Sequence, residues 1–75
     1  MSTELLKLDE NQLINLLRFI LLIKHKSIEN EKIVIQKNDI GWWIYADTIS
    51  LPLSFEKQSE AQEVKGLIDR ILKVL

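Results

Sequence analysis

One stretch in the first half of this 75-residue chain has an apolar surface too wide for an ordinary surface helix. Leu8-Asp9-Glu10-Asn11-Gln12-Leu13 has the pattern of a helix start, with Asp9 as the N-cap and Gln12 as its capping-box partner. Lys24-His25-Lys26 suits the carbonyl end of the same helix. The sequence therefore predicts a helix that begins after Asp9 and ends near Lys26. Leu5 and Leu6 are expected to form a short lead-in turn.

At about 100° per residue, the apolar residues of this helix span an arc of about 220°, against about 100° to 140° for an ordinary surface helix. The remaining polar stripe contains Asn11, Asn15, Arg18 and His25, and Leu22 lies within it. The apolar arc is formed by Leu13, Ile14, Leu16, Leu17, Phe19, Ile20, Leu21 and Ile23. Two interpretations remain open. Either the helix is central and covered by the rest of the domain, or part of it meets another protein.

Three strands are predicted in the middle of the chain. Lys32 to Lys37 carries a β-branched run, and Trp42 to Ala46 is rich in aromatic and β-branched residues. Asn38-Asp39-Ile40-Gly41 predicts a turn between them. Ile49 to Phe55 alternates apolar and polar residues, but Pro52 cannot donate to a ladder. We therefore expect the third strand at a sheet edge, or extended without full pairing.

The last segment predicts an amphipathic helix. Ser59 is expected to cap it, with Gln62 as the partner of the cap. Its apolar stripe consists of Ala61, Val64, Leu67, Ile68, Ile71, Leu72 and Leu75. The predicted fold is a single α+β domain over residues 1–75, of order helix–strand–strand–(strand)–helix. Two helices would pack on one face of an antiparallel sheet.

Alternation along the second strand sends Trp42 and Trp43 to opposite faces of the sheet. One tryptophan must therefore leave the helix-packed core, with Tyr45 and Val34 as its expected companions. Together with the excess of apolar surface on the first helix, this predicts a partner interface. Its predicted residues are Phe19, Leu22, Trp42, Trp43 and Tyr45.

Composition argues against several activities. The ten basic and eleven acidic residues give a net charge of -1, which does not favour a dedicated binder of nucleic-acid backbones. No cysteine is present, and the single histidine, His25, suits a helix end better than an acid–base role. No catalytic, cofactor-binding or metal-ligating set is predicted, and the chain is expected not to be an enzyme.

Targeting signals are not predicted either. Glu4 stands where a signal peptide would carry positive charge. The apolar run from Leu13 to Ile23 is too short to span a bilayer, which takes about twenty residues. We expect a cytoplasmic protein without a membrane partner.

The element order is similar to that of double-stranded-RNA-binding domains. That family places a lysine cluster at the start of its last helix to hold phosphates. The matching segment here, residues 56–62, reads Glu-Lys-Gln-Ser-Glu-Ala-Gln and is mixed or acidic. A nucleic-acid-binding regulator, using the open aromatic face with Lys32 and Lys37 beside it, is therefore kept as the alternative.

A second resemblance rests on residues of the last half of the chain: Trp42-Trp43, Thr48, Glu60-Ala61-Gln62, Gly66 and Asp69. This pattern resembles a small cyanobacterial domain family of unknown function. Pro52 and Phe55 fall near the expected places, but the aromatic pair that the family has before its helix is missing. The resemblance implies no activity. The sequence favours a small non-enzymatic interaction module, either a homodimer or an accessory subunit of another protein.

Overall fold

The computed structural model describes residues 8–75 of the chain, so the lead-in turn expected at Leu5 and Leu6 lies outside the described residues. The described elements follow the order α1, β1, β2, β3 and α2. Their bounds are α1 Glu10–Lys26, β1 Ile33–Lys37, β2 Trp42–Ala46, β3 Ile49–Ser50 and α2 Gln58–Val74. A single 3₁₀ turn, Asn30–Lys32, leads into β1. The predicted α+β class and element order are confirmed.

Helix α1 begins and ends as its sequence predicts. The Asp9 carboxylate accepts from the Gln12 backbone N–H at 2.8 Å, and the Gln12 side chain accepts from the Asp9 N–H at 3.0 Å. This capping box satisfies two of the backbone donors that a helix start leaves free. At the other end Ser27 is left-handed, with φ 57°, and the Ile28 N–H donates to the Ile23 carbonyl at 3.0 Å. That bond closes the last turn.

The three strands form one antiparallel sheet in the order β1-β2-β3, so the third strand lies at an edge as expected. The first hairpin pairs Lys37 with Trp42 at its tip. In the second, Ala46 pairs with Ile49 across a two-residue loop in which Asp47 has φ 58°. Residues with short polar side chains tolerate this left-handed conformation better than most.

The third strand is shorter than predicted because its pairing is interrupted at Pro52. Only Ile49–Ser50 is a regular strand, and pairing resumes at Phe55, which exchanges two 2.8 Å backbone bonds with Trp42. Between them the Leu53 N–H donates to the Leu51 carbonyl at 2.7 Å, around a proline that has no N–H to offer. The alternation of burial still holds, because Leu51, Leu53 and Phe55 are buried.

The predicted cap of α2 is wrong. The helix begins one residue before Ser59, and the Glu60 carboxylate accepts from the Lys57 backbone N–H at 3.3 Å. Ser59 is therefore already inside the helix and exposed. Glu60 supplies the half of a capping box that reaches back to Lys57, so the helix starts without a hydrogen-bond acceptor on the side chain at its cap position.

Both helices pack on the same face of the sheet. The outward strand positions are exposed or half-buried, whereas Ile33, Ile44 and Ala46 are buried against the helices. The helices point in the same direction: Lys24 Nζ donates to the Leu75 backbone oxygen at 3.1 Å, which joins their carboxyl ends. One core cluster unites them, formed by Leu16, Phe19, Ile20, Ile23, Ile33, Ile44, Ala46, Leu51, Leu53, Phe55, Ala61, Val64 and Ile68.

Within residues 8–75, no helix combines the length and the apolar character needed to cross a membrane.

Candidate interaction surface

Only half of the apolar arc of α1 enters the core. Phe19, Ile20 and Ile23 are at most 2% exposed, as is Leu16 one turn earlier. The rest of the arc is open: its four side chains are between 41% and 58% exposed. We call this group the α1 stripe, and it consists of Leu13, Ile14, Leu17 and Leu21.

The spacing of the α1 stripe makes it continuous. Leu13, Leu17 and Leu21 succeed one another at intervals of four residues, and Ile14 lies three residues before Leu17. Residues three and four apart are neighbours on a helix surface, so the four side chains form one continuous exposed apolar patch. Contiguous exposed apolar patches on a soluble chain mark interaction sites more often than isolated exposed leucines do.

The two predicted interface residues of α1 differ in their exposure to solvent. Phe19 is 2% exposed and fills the core beneath the helix, so the expectation that it lies on a partner surface is corrected. The physical reason is that Phe19 lies on the same half of the arc as Leu16 and Ile23, and this half packs into the core. Leu22 is 43% exposed as expected. It lies apart from the α1 stripe, between Arg18 and Asn15 on the polar side of the helix.

The other three predicted residues lie on β2, and alternation separates them. Trp42 points to the helix side, where it packs in part against the core, and the Lys37 ammonium lies 5.9 Å from its ring centre. Trp43 and Tyr45 are half-buried on the opposite side, which we call the outer sheet face. The strand register adds Val34 opposite Tyr45. The tryptophan that leaves the core is therefore Trp43, and its companions are those predicted.

The Trp43 ring is held by the turn that precedes β2. Asn38 Oδ1 accepts from the indole Nε1 at 2.9 Å, from the Ile40 N–H at 2.9 Å and from the Gly41 N–H at 3.2 Å. One amide oxygen thus organises the turn and orients the ring. The satisfied indole nitrogen makes the outer sheet face a fixed surface of modest apolar content, less open than the α1 stripe.

The outer sheet face lacks the charges that binding to a single nucleic-acid strand requires. Its strand positions by register are Val34, Gln36, Trp43, Tyr45 and Ser50, none of which is basic. Proteins that stack the bases of a single strand on aromatic side chains also hold its phosphates in a positively charged groove. Lys37 lies with Trp42 on the other side of the sheet. The nucleic-acid alternative therefore gains no support from these positions.

Chemistry-bearing groups are scattered over the described surface. Among residues 8–75, no three His, Cys, Asp or Glu side chains lie close enough together to hold a metal ion. The described ion pair is Lys65 Nζ with Asp69 Oδ2 at 3.4 Å, within α2, and it is partly exposed. Its second carboxylate oxygen, Oδ1, has no hydrogen-bond partner. The pair borders an open depression near Ile35.

All four residues of the α1 stripe belong to the predicted apolar arc, but none of them is among the predicted interface residues. A signal was present: Glu10 and Lys24 project on the same side of α1 as Leu17, whereas the core side of the arc carries no charged residue. Charges bordering one half of an apolar arc indicate that this half faces solvent in the isolated chain. That reading would have favoured Leu17 and Leu21 over Phe19.

Comparison with known proteins adds no relative: no family model, curated protein or solved structure matches this chain. The resemblance to the cyanobacterial domain family stays a prediction.

Proposed function

We propose that this chain is a non-enzymatic protein-interaction module that binds a protein partner through the α1 stripe. The observation that supports it is the exposure of Leu13, Ile14, Leu17 and Leu21, all between 41% and 58%, side by side on one helix. A domain of this size has little stability to spare, and side chains left in water contribute little to it. The arrangement of these four side chains on one helix face therefore favours their burial by a partner.

The free energy gained by burying the α1 stripe limits the kind of partner that can bind it. Covering the exposed half of one large aliphatic side chain contributes about 1 kcal/mol, so the α1 stripe contributes about 4 kcal/mol. Association itself costs about 4 kcal/mol or more. The stripe alone therefore gives no stable complex, and the partner must present an apolar surface of its own. A helix face laid along α1 meets this requirement.

The outer sheet face serves as a secondary contact in this proposal. Trp43 and Tyr45 are the residue types that dominate binding energy at protein interfaces. Their half-buried state and the fixed indole leave less surface to gain than on α1. An accessory subunit could use both surfaces towards two neighbours.

Site-specific photo-crosslinking tests the proposal. A photoreactive amino acid replaces Leu17 in the chain expressed in its native cells, and a matched variant carries it in place of Leu22, which is 43% exposed on the polar side of the same helix. We expect one discrete protein adduct from position 17 and none from position 22. No adduct from position 17, or the same adducts from both positions, would contradict the proposal.

A further inference from the structure

Two opposite charges close the ends of the α1 stripe. Glu10 lies seven residues before Leu17, and Lys24 lies seven residues after it. Seven residues fall about 20° short of two full helical turns, so both charges project on the same side as Leu17. Each lies about 10 Å from Leu17 along the axis. Both are exposed.

The positions between these charges follow a seven-residue repeat. Residues 10, 14, 17, 21 and 24 are separated by four, three, four and three, which is the spacing of a seam between two packed helices. The three central positions are Ile14, Leu17 and Leu21. The seam thus has an apolar middle, an acidic start and a basic end.

Such a seam is complementary to itself when reversed. In an antiparallel pair centred on Leu17, position 10 of one helix faces position 24 of the other, and position 14 lies within one residue of position 21. We infer that the partner of the α1 stripe is a second copy of this chain, with the two α1 helices antiparallel about a two-fold axis at Leu17. This inference rests on the proposed function and names its partner.

Two further features favour the reversed arrangement. The same pairing brings the acidic start of one helix, with Asp9 and Glu10, to the level of the basic carboxyl end of the other along the axis. Opposed helix dipoles also attract each other, whereas a parallel pair would set Glu10 against Glu10 and Lys24 against Lys24. In a two-fold interface each favourable pair occurs twice.

The Lys24 ammonium already donates to the Leu75 backbone oxygen at 3.1 Å. An ammonium has three donors, so this bond leaves Lys24 able to pair with Glu10 of a second copy. It also holds the end of α2 beside the seam, where Leu75 is 52% exposed. The apolar surface offered to the second copy therefore extends past the last turn of α1.

Charge reversal measured by sedimentation equilibrium tests the inference. The wild-type chain is compared with Glu10→Lys, with Lys24→Glu and with the double variant, at low salt and over a range of micromolar concentrations. We expect a reversible dimer, a dissociation constant raised about tenfold or more by each single reversal, and recovery in the double variant. Glu63→Lys on the exposed side of α2 is the matched control and should change the constant less than about threefold.

Each reversal also sets a charge against the dipole of α1, so thermal melts must first show that every variant is folded at the measuring temperature.

Leu17→Glu gives an independent readout, because it places two carboxylates at the two-fold axis and should leave only monomer. A wild-type chain that stays monomeric would overturn the inference. A double variant no tighter than the single variants would overturn it too. If the crosslink from position 17 then leads to a different protein, the proposed function survives without the second copy, and if it leads nowhere, both fail.

Discussion

The indole Nε1 of Trp43 donates a hydrogen bond to Oδ1 of Asn38 at 2.9 Å, across the tip of the first hairpin. The same oxygen accepts from the backbone of Ile40 and Gly41. A turn residue therefore orients an aromatic ring on the outer sheet face. The stability of the hairpin is thus coupled to the position of Trp43 on that face.

Replacing Asn38 tests this coupling. Asn38→Ala removes one acceptor from three donors, and we expect it to destabilise the fold by about 1–2 kcal/mol. In a Trp42→Phe background it should also shift Trp43 fluorescence towards the red, because the ring is released to water. Urea unfolding and emission spectra measure both effects. Asp39→Ala, at the exposed next position, is the control. A fluorescence maximum unchanged by Asn38→Ala would show that the bond does not orient the ring.

The two glycines should respond to alanine in opposite directions. At Gly41 φ is 157°, and an added Cβ would lie 2.7 Å from the Phe55 carbonyl oxygen, so Gly41→Ala must displace the backbone pairing of Trp42 with Phe55. We expect a loss of about 2 kcal/mol or more. At Gly66 a Cβ would meet nothing within 4 Å, so Gly66→Ala should stabilise α2 by about 1 kcal/mol. Urea midpoints that move in the same direction for both variants would contradict this contrast.

Phe19 and Leu17 are two residues apart but differ in role. Phe19→Ala empties a core position that is 2% exposed and should cost about 3–5 kcal/mol. Leu17→Ala changes a side chain that is 52% exposed, and its cost at dilute, monomeric concentration should stay below about 1 kcal/mol. Chemical denaturation at low protein concentration compares them. Similar costs for the two variants would mean that Leu17 is covered within its own chain.

The two helix starts make a further pair. Asp9→Ala removes the acceptor of the Gln12 N–H and should cost about 1 kcal/mol. Ser59→Ala should change stability by less than about 0.5 kcal/mol, because Ser59 lies inside α2 and is exposed. Thermal melts followed by circular dichroism distinguish them. A Ser59→Ala loss equal to that of Asp9→Ala would restore Ser59 as a cap.

Local chemistry made most of the fold predictable. The capping box at Asp9 and the basic end near Lys26 define α1, and the turn at Asn38 to Gly41 defines the first hairpin. These features act over a few residues and leave clear patterns. The third strand was only partly predictable, since Pro52 interrupts the ladder while the alternation of burial continues to Phe55. Alternation reports burial, not hydrogen bonding.

The candidate surface was harder to predict because it depends on which half of an apolar arc the sheet and α2 cover. That choice is made by tertiary packing, which placed Phe19 inside and Leu17 outside. The separation of Trp42 from Trp43 follows from strand geometry, but which of them faces out depends on the register of Ile44 and Ala46 against the helices. Local patterns carry no such long-range information.

Thiol labelling tests most directly the claim that two copies cover the α1 stripe. The natural chain has no cysteine, so Leu17→Cys and Leu22→Cys each provide one reactive group on the same helix. The account predicts that maleimide labelling at position 17 slows at least severalfold between low-micromolar and high-micromolar protein concentration, while labelling at position 22 keeps its rate. A rate at position 17 that does not depend on concentration, in a folded chain, would contradict it.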